Sequence, residues 1–269
     1  MSKLSVEKWT HATLDRFLKE QRGIGEGRNY RPWFEVDEFS SNGRARRLDW
    51  WQTGRVHHLF SDHERRLFHL CAWSNRVVDI REQYPLLDLE LAMKIAADMG
   101  IKYPQGKDGT PWVLTTDFML TLKQGEERIQ IPWTVKPTDK LQSKTVMQNF
   151  ELEKRYYAAK GNNRWSIITQ EGIHRGMAEN IEWFFSDYWL EDDPNLHSLK
   201  HELKIRLKTK NKAIHEITTA LDKEMNIAGE GISLRIFRHL LARKEVIVDM
   251  KQKSINGYLL TNEILEIIC

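Results

Sequence analysis

The chain has 269 residues, 41% hydrophobic and 29% charged, which excludes global disorder and, at roughly 100–200 residues per domain, predicts one large domain or two modest ones. Lys and Arg number 41 against 38 Asp and Glu, a net charge of +3, too small a surplus to argue nucleic-acid binding by itself. Two cysteines, Cys71 and Cys269, exclude a disulfide framework and a four-thiolate zinc site; with no apolar run near the roughly 18–20 residues of a membrane span, a soluble protein of a reducing, cytoplasmic compartment is expected.

A first helix is predicted from Ser5 to Gln21, with Trp9, Leu14, Phe17 and Leu18 near one face. RGIGEGRNYRPW then reads as an ordered loop or arm. Its glycines lack the preceding strand and following Lys-Ser/Thr of a nucleotide-binding loop, so ATP binding is not expected. Between Trp33 and Phe60 come short segments of mixed alternation, WFEVDEF and TGRVHHLF, separated by SSNGRARRLDWW with its cluster of Arg44, Arg46, Arg47, Trp50 and Trp51. Ten Trp in all suit either a core or a stacking surface.

Ser61-Asp62-His63-Glu64 fits a capping box at the start of a helix. A strand follows from Arg76 to Tyr84, closed by Pro85, then a helix from Asp88 to Met99 ended by Gly100. From Trp112 to Lys136 the period becomes two, predicting a hairpin turned at Lys123–Glu126. Pro132 makes the second run an edge strand or marks a bulge. SKTVMQNFELEKRYYAAKG reads as a long helix and RWSIITQ as a strand, which completes an α/β domain with a mixed sheet.

After about Gly172 the chain turns mainly helical, with EDDPN as a linker candidate. Helices at Leu196–Leu207, Ala213–Met225 and Ser233–Lys244, followed by a hairpin of EVIVDM, KQKSING and YLLT, give the order of a winged helix. Residues 1–171 are expected to form the first domain and 172–269 the second. Lys200, Lys204, Arg206, Lys208, Lys210 and Lys212 form a basic run that is either a solvated helix face or a DNA-phosphate surface.

One constellation could carry chemistry. Hairpin strands lie about 5 Å apart, so Asp117 on the first and Lys136 at the end of the second can share one small volume, with Glu64 brought in by its helix. Two carboxylates can hold a hard divalent cation, the Val135 carbonyl can add an oxygen, and an ammonium can orient water or balance charge during phosphodiester hydrolysis. This is the logic of the PD-(D/E)xK nucleases. The plainer readings stay open on spacing alone: Glu64 as a capping acid, Asp117 as an edge-strand polar residue, Lys136 as a surface charge. His57, His58 and His63 lack zinc-ligand spacing and read as core or solvated residues.

TGRVHHLFSDHE (53–64), DIREQYPLL (79–87), TTDF (115–118), TVKP (134–137), ELEKRYY (151–157) and ENIEW (179–183) occur in one order. Together they resemble the TnsA endonuclease family of Tn-seven-type transposons, within the PD-(D/E)xK group. The resemblance implies a restriction-endonuclease-like mixed-sheet domain followed by a smaller winged-helix-like domain that binds DNA or a partner. It implies catalytic roles for Glu64, Asp117 and Lys136, and Mg²⁺, or Mn²⁺ in its place, on Glu64, Asp117 and the Val135 carbonyl. Thr134 stands where the family has glutamine, so its hydroxyl would be a further, shorter donor to metal, and Glu153 matches an auxiliary helical acid.

The implied activity is cleavage at the 5′ ends of a transposon in the bacterial cytoplasm. The implied partners are double-stranded transposon-end DNA, a TnsB-type transposase and a TnsC-type ATP-dependent regulator. Arg44, Arg46, Arg47, Arg65, Lys204, Lys208 and Lys212 are the DNA-phosphate candidates. A restriction- or repair-type nuclease of the same fold and a non-catalytic DNA-binding scaffold are the alternatives.

Overall fold

In the computed structural model, which describes residues 4–38, 44–226, 231–251 and 254–268, helix starts fall where a side chain can receive a free backbone N–H. Cys269, and Gln252 and Lys253 of the expected wing turn, lie outside these residues. Helix α1 (His11–Lys19) is shorter than the sequence pattern suggests, because Thr10 takes the N-cap and accepts from the Thr13 N–H. The preceding Val6–Lys8 is a single 3-10 turn.

The first two strands form a separate antiparallel ribbon, β1 (Arg46–Trp50) with β2 (Arg55–Leu59). Within the mixed-alternation segment WFEVDEF, residues 33–38 form no strand. Trp33 and Phe34 are drawn instead into an aromatic cluster with Trp9, Phe17 and Trp112, and β1 is supplied by the stretch that read as a separator. Four tryptophans, Trp9, Trp33, Trp50 and Trp112, are thereby core residues.

Helix α2 (Asp62–Trp73) starts at Ser61 and packs on β3 (Val77–Pro85). Helix α3 (Leu89–Asp98) is capped by Asp88, and Gly100 follows it in the left-handed conformation at φ +64°. The hairpin is β4 (Thr115–Gln124) with β5 (Glu127–Val135). Its turn is the two residues Gly125 and Glu126, with Gly125 at φ +63°. Helix α4 (Lys144–Ala159), capped by Ser143, leads to β6 (Ser166–Ile168).

The sheet order is β3-β4-β5-β6, antiparallel except for the parallel pair β5–β6. Strand β6 pairs with β5 only from Trp133 onward, so Pro132 sits where that side of β5 is uncovered and no ladder bond is sacrificed. Met119 on β4 packs with Leu86, Ala92, Ile95, Leu152 and Tyr156, joining α3 and α4 to the sheet in one core.

Contacts divide the chain into two compact units, residues 1–173 and 174–269. The second contains α5 (Arg175–Phe184), α6 (Pro194–Arg206), α7 (Ile214–Glu224) and α8 (Ile232–Ala242) around buried Leu199, Leu203, Leu221, Ile236, Phe237 and Leu240. EDDPN is not a linker between units. It lies inside this one as the start of α6, with Asp193 accepting from Asn195 N–H and Pro194 in the first turn.

The terminal strands are β7 (Val246–Val248) and β8 (Ile264–Ile267), antiparallel. The second strand of the hairpin is thus not YLLT. Leu260 makes a lone bridge to Ala213, while Leu259 is buried and Tyr258 exposed. No helix among the described residues is long and apolar enough to cross a membrane.

Candidate active site

Glu64 occupies the first turn of α2, where the capping geometry fixes its carboxylate as well as the helix. Ser61 Oγ accepts from the Glu64 N–H at 3.1 Å and donates to Glu64 Oε1 at 2.9 Å. The other oxygen, Oε2, accepts from the Phe60 N–H at 2.8 Å. The box therefore closes one residue earlier than the usual return to the N-cap N–H. Glu64 is buried, with both carboxyl oxygens engaged at the start of the helix.

Asp117 lies where the hairpin opens. Pairing of β4 with β5 runs from Gln124–Glu127 to Phe118–Trp133. Beyond it the Val135 N–H donates to Asp117 Oδ2 at 2.7 Å. One residue on, the Lys136 N–H donates to Ile168 O at 3.0 Å, continuing the pairing with β6 and bringing Lys136 to the end of β5. On the other side of Asp117, strand pairing sets Gln83 of β3 level with it, and the Gln83 side chain favours the charged form of the Asp117 carboxyl. The structure thus brings together Glu64, Asp117, Val135 and Lys136 as the spacing suggests, and adds Gln83.

Electrostatics bind these groups into one site. Burial first, and the Asp117 charge second, raise the Glu64 carboxyl to about 8, against the opposing pull of hydrogen bonds and of Lys136. Asp117 is also raised by burial, opposed by the Val135 N–H, Lys136 and Gln83. Two adjoining carboxyls in a poorly solvated place resist joint ionisation, and a cation between them offsets that resistance.

Thr134 and Glu153 form an adjoining network. Thr134 Oγ1 donates to Glu153 Oε2 at 2.7 Å, and the same oxygen accepts from Trp165 Nε1 at 3.0 Å and Thr116 Oγ1 at 3.2 Å. Thr116 also bonds the Tyr157 hydroxyl at 2.8 Å. The Thr134 hydroxyl proton is directed to Glu153. Glu153 is buried and raised to about 7, by burial first, with the Asp117 charge adding to it. The surface ion pair of this helix is made by Glu151, which meets Arg155.

Among the histidines, His57 is fully buried, bonded to Thr53 Oγ1 and to Glu82 Oε2 at 2.9 Å each. Arg55 grips the same Glu82 carboxylate through two nitrogens at 2.7 and 2.8 Å. This network fastens β2 to β3 and was missed from the sequence, because Arg55 and Glu82 are far apart in the chain. Gln83 was missed too: a strand pattern carries no sign of a left-handed residue. The REQ string was its one available signal.

The basic candidates differ in availability. Arg44, Arg46 and Arg47 are exposed, with Arg47 in an ion pair with Asp37. Arg65 is only 12% exposed and pairs with Asp62. Lys204 is held by Glu245 and by the Ile268 carbonyl, each at 2.7 Å. Lys208 and Lys212 are exposed, in the connection between α6 and α7 and not on a helix face.

The donors suit a hard divalent cation: two carboxylates and a backbone carbonyl, all oxygen, the ligand type that Mg²⁺ prefers. Among the described residues, no group of three or more His, Cys, Asp or Glu side chains is assembled as a metal cage.

Comparison with known proteins adds an independent line. The family model described as TnsA-like endonuclease N terminal matches residues 74–170, which include Asp117, Thr134, Val135, Lys136 and Glu153 but begin after Glu64. The model described as TnsA endonuclease C terminal matches residues 172–250. The Escherichia coli protein named transposon Tn7 transposition protein TnsA is 41% identical over 178 residues, covering 66% of this chain and 64% of that protein. The match thus spans slightly less than two thirds of that relative.

Proposed function

This chain belongs to the TnsA endonuclease family, and we propose that it is a metal-dependent DNA endonuclease cutting at the 5′ ends of a transposon. The observation that carries the reading is the meeting of the Glu64 and Asp117 carboxyls beside Lys136, at the opened end of the β4–β5 hairpin.

In phosphodiester hydrolysis, water adds to phosphorus, the bond to the leaving oxygen breaks, and that oxygen takes up a proton. Glu64, Asp117 and the Val135 carbonyl would hold Mg²⁺, or Mn²⁺ in its place. When bound, such a cation neutralises phosphate charge and acidifies water. Lys136 supplies a fixed positive charge where negative charge accumulates in the transition state. Glu153, kept apart by Thr134, Thr116 and Trp165, acts on the site through the Asp117 charge.

The same reading takes double-stranded transposon-end DNA as substrate, with a TnsB-type transposase and a TnsC-type ATP-dependent regulator as partners. The exposed Arg46 of the ribbon and Arg44 just before it, with Lys208 and Lys212, are its phosphate contacts, which position DNA without specifying sequence. The test is strand-resolved cleavage of end-labelled transposon-end duplex with the partner transposase present. Nicks at the 5′ ends that need Mg²⁺ or Mn²⁺ and vanish with EDTA are expected. Metal-independent nicking, or cutting confined to the 3′ strands, contradicts the reading.

A further inference from the structure

Gln83 stands at φ +48° inside β3, a left-handed conformation that a non-glycine residue keeps only where its surroundings impose it. What imposes it is visible. The arm before β1 lies along β3: the Gly27 N–H donates to Asp79 at 3.0 Å, the Tyr30 hydroxyl to Glu82 O at 3.0 Å, and the Trp33 N–H to Gln83 O at 3.2 Å. Trp33 is itself fixed in the aromatic cluster with Trp9 and Phe17. The backbone twist is thus held by the fold.

The side chain shows what the twist accomplishes. Gln83 is 7% exposed. Its pairing neighbours are Glu82–Phe118 and Tyr84–Thr116, which places it level with Asp117. Gln83 Oε1 accepts from Thr115 Oγ1 at 3.1 Å. A carboxylate only accepts, and Gln83 favours the charged form of Asp117, so the end of Gln83 that acts on the acid is its amide N–H₂. Thr115 fixes the amide oxygen and so keeps the amide beside the acid. With the Val135 N–H at 2.7 Å from the other strand, Asp117 has a donor group beside it on each neighbouring strand.

We propose that Gln83 is a positioning residue, which fixes the Asp117 carboxylate in the orientation that ligates the divalent cation. The proposal rests on the reading of Asp117 as a metal ligand. A residue needed only to make the bend would be served as well by glycine, which takes positive φ without strain. The amide is what glycine cannot supply.

The experiment uses the full chain with Gln83→Gly and Gln83→Met. The first keeps the backbone conformation and removes the side chain; the second keeps its bulk and removes the amide. Mn²⁺ affinity is measured by calorimetric titration without DNA, beside the melting temperature in EDTA. Both variants are expected to bind Mn²⁺ about tenfold or more weakly, the usual range for loss of a ligand's hydrogen-bond partner. Gln83→Gly should nonetheless melt no lower than the wild type.

Unchanged Mn²⁺ affinity in both variants overturns the proposal, and a lowered melting temperature with it would make Gln83 a support of the fold. Asp117→Asn, titrated in parallel, separates the two levels. If it loses Mn²⁺ binding while the Gln83 variants keep theirs, only the role of Gln83 falls. If it binds Mn²⁺ as the wild type does, the metal-site reading falls and the proposal with it.

Discussion

Replacing Glu64 by Gln removes a carboxyl whose ionisation the fold opposes, by burial first and by the Asp117 charge second. Both hydrogen-bond partners survive, because the amide oxygen can accept from Phe60 and the amide nitrogen can donate to Ser61. The folded Glu64 is raised from 4.5 to about 8, so the folded state holds a proton that the unfolded chain releases between those values. Its contribution to stability is therefore most favourable below about pH 4.5, declines as pH rises, and levels off above about 8. At about 1.4 kcal/mol per tenfold change in ionisation constant, the full difference is on the order of 5 kcal/mol, and about 2–5 kcal/mol is expected. The assay is urea denaturation of wild type and Glu64→Gln in EDTA at pH 5 and pH 8.5. The variant should gain stability relative to wild type on going from the lower to the higher pH, and Mg²⁺ should stabilise only the wild type. An equal difference at both pH values would refute the argument that burial and Asp117 oppose the Glu64 charge.

Other substitutions probe separate parts of the account. Lys136→Ala should bind metal and DNA but cut slowly at saturation, by at least tenfold, because its charge acts mainly in the transition state; single-turnover kinetics check this. Arg55→Met leaves the buried Glu82 carboxylate without its bidentate partner and should cost about 3–5 kcal/mol in denaturant titration. Lys208→Ala with Lys212→Ala should flatten the salt dependence of DNA binding by roughly one log–log unit per lost phosphate contact. Lys204→Ala should leave that slope alone, since its ammonium is engaged by Glu245.

Local signals were the legible ones. Ser61, Asp88 and Ser143 start helices through hydrogen bonds to residues three positions on, so the sequence alone locates them. The β4–β5 hairpin announced itself by its period and by Gly125. Strand β1 did not, because only Trp50 among its five residues is buried and alternation is then uninformative. The candidate site divides in the same way. Glu64, Asp117 and Lys136 follow from a cap and a hairpin, helped by the family resemblance.

Gln83 depends on Trp33 and the arm, fifty residues of chain away in its hydrogen bond from Trp33 to β3, and no window of neighbouring residues contains that constraint. The basic run misled for a related reason. Lys200 and Lys204 meet Glu245, a partner more than forty residues distant, and Arg206 meets Glu202 and Glu224. Charge density along the sequence overstates the cationic surface by the amount that tertiary pairing consumes.

The central claim is that Asp117 belongs to the centre that frees the 5′ strands, and transposition products made with Asp117→Asn protein test it most directly. Asparagine is nearly isosteric and can still accept from the Val135 N–H, so the variant should fold and assemble with its partners. On the proposed division of labour, in which a TnsB-type partner cuts and joins the 3′ ends, those ends should still reach the target while the 5′ strands stay attached to the donor. Sequencing the recovered products after replication should show cointegrates in place of simple insertions. Simple insertions at the wild-type frequency would place the 5′ cut elsewhere and contradict the account.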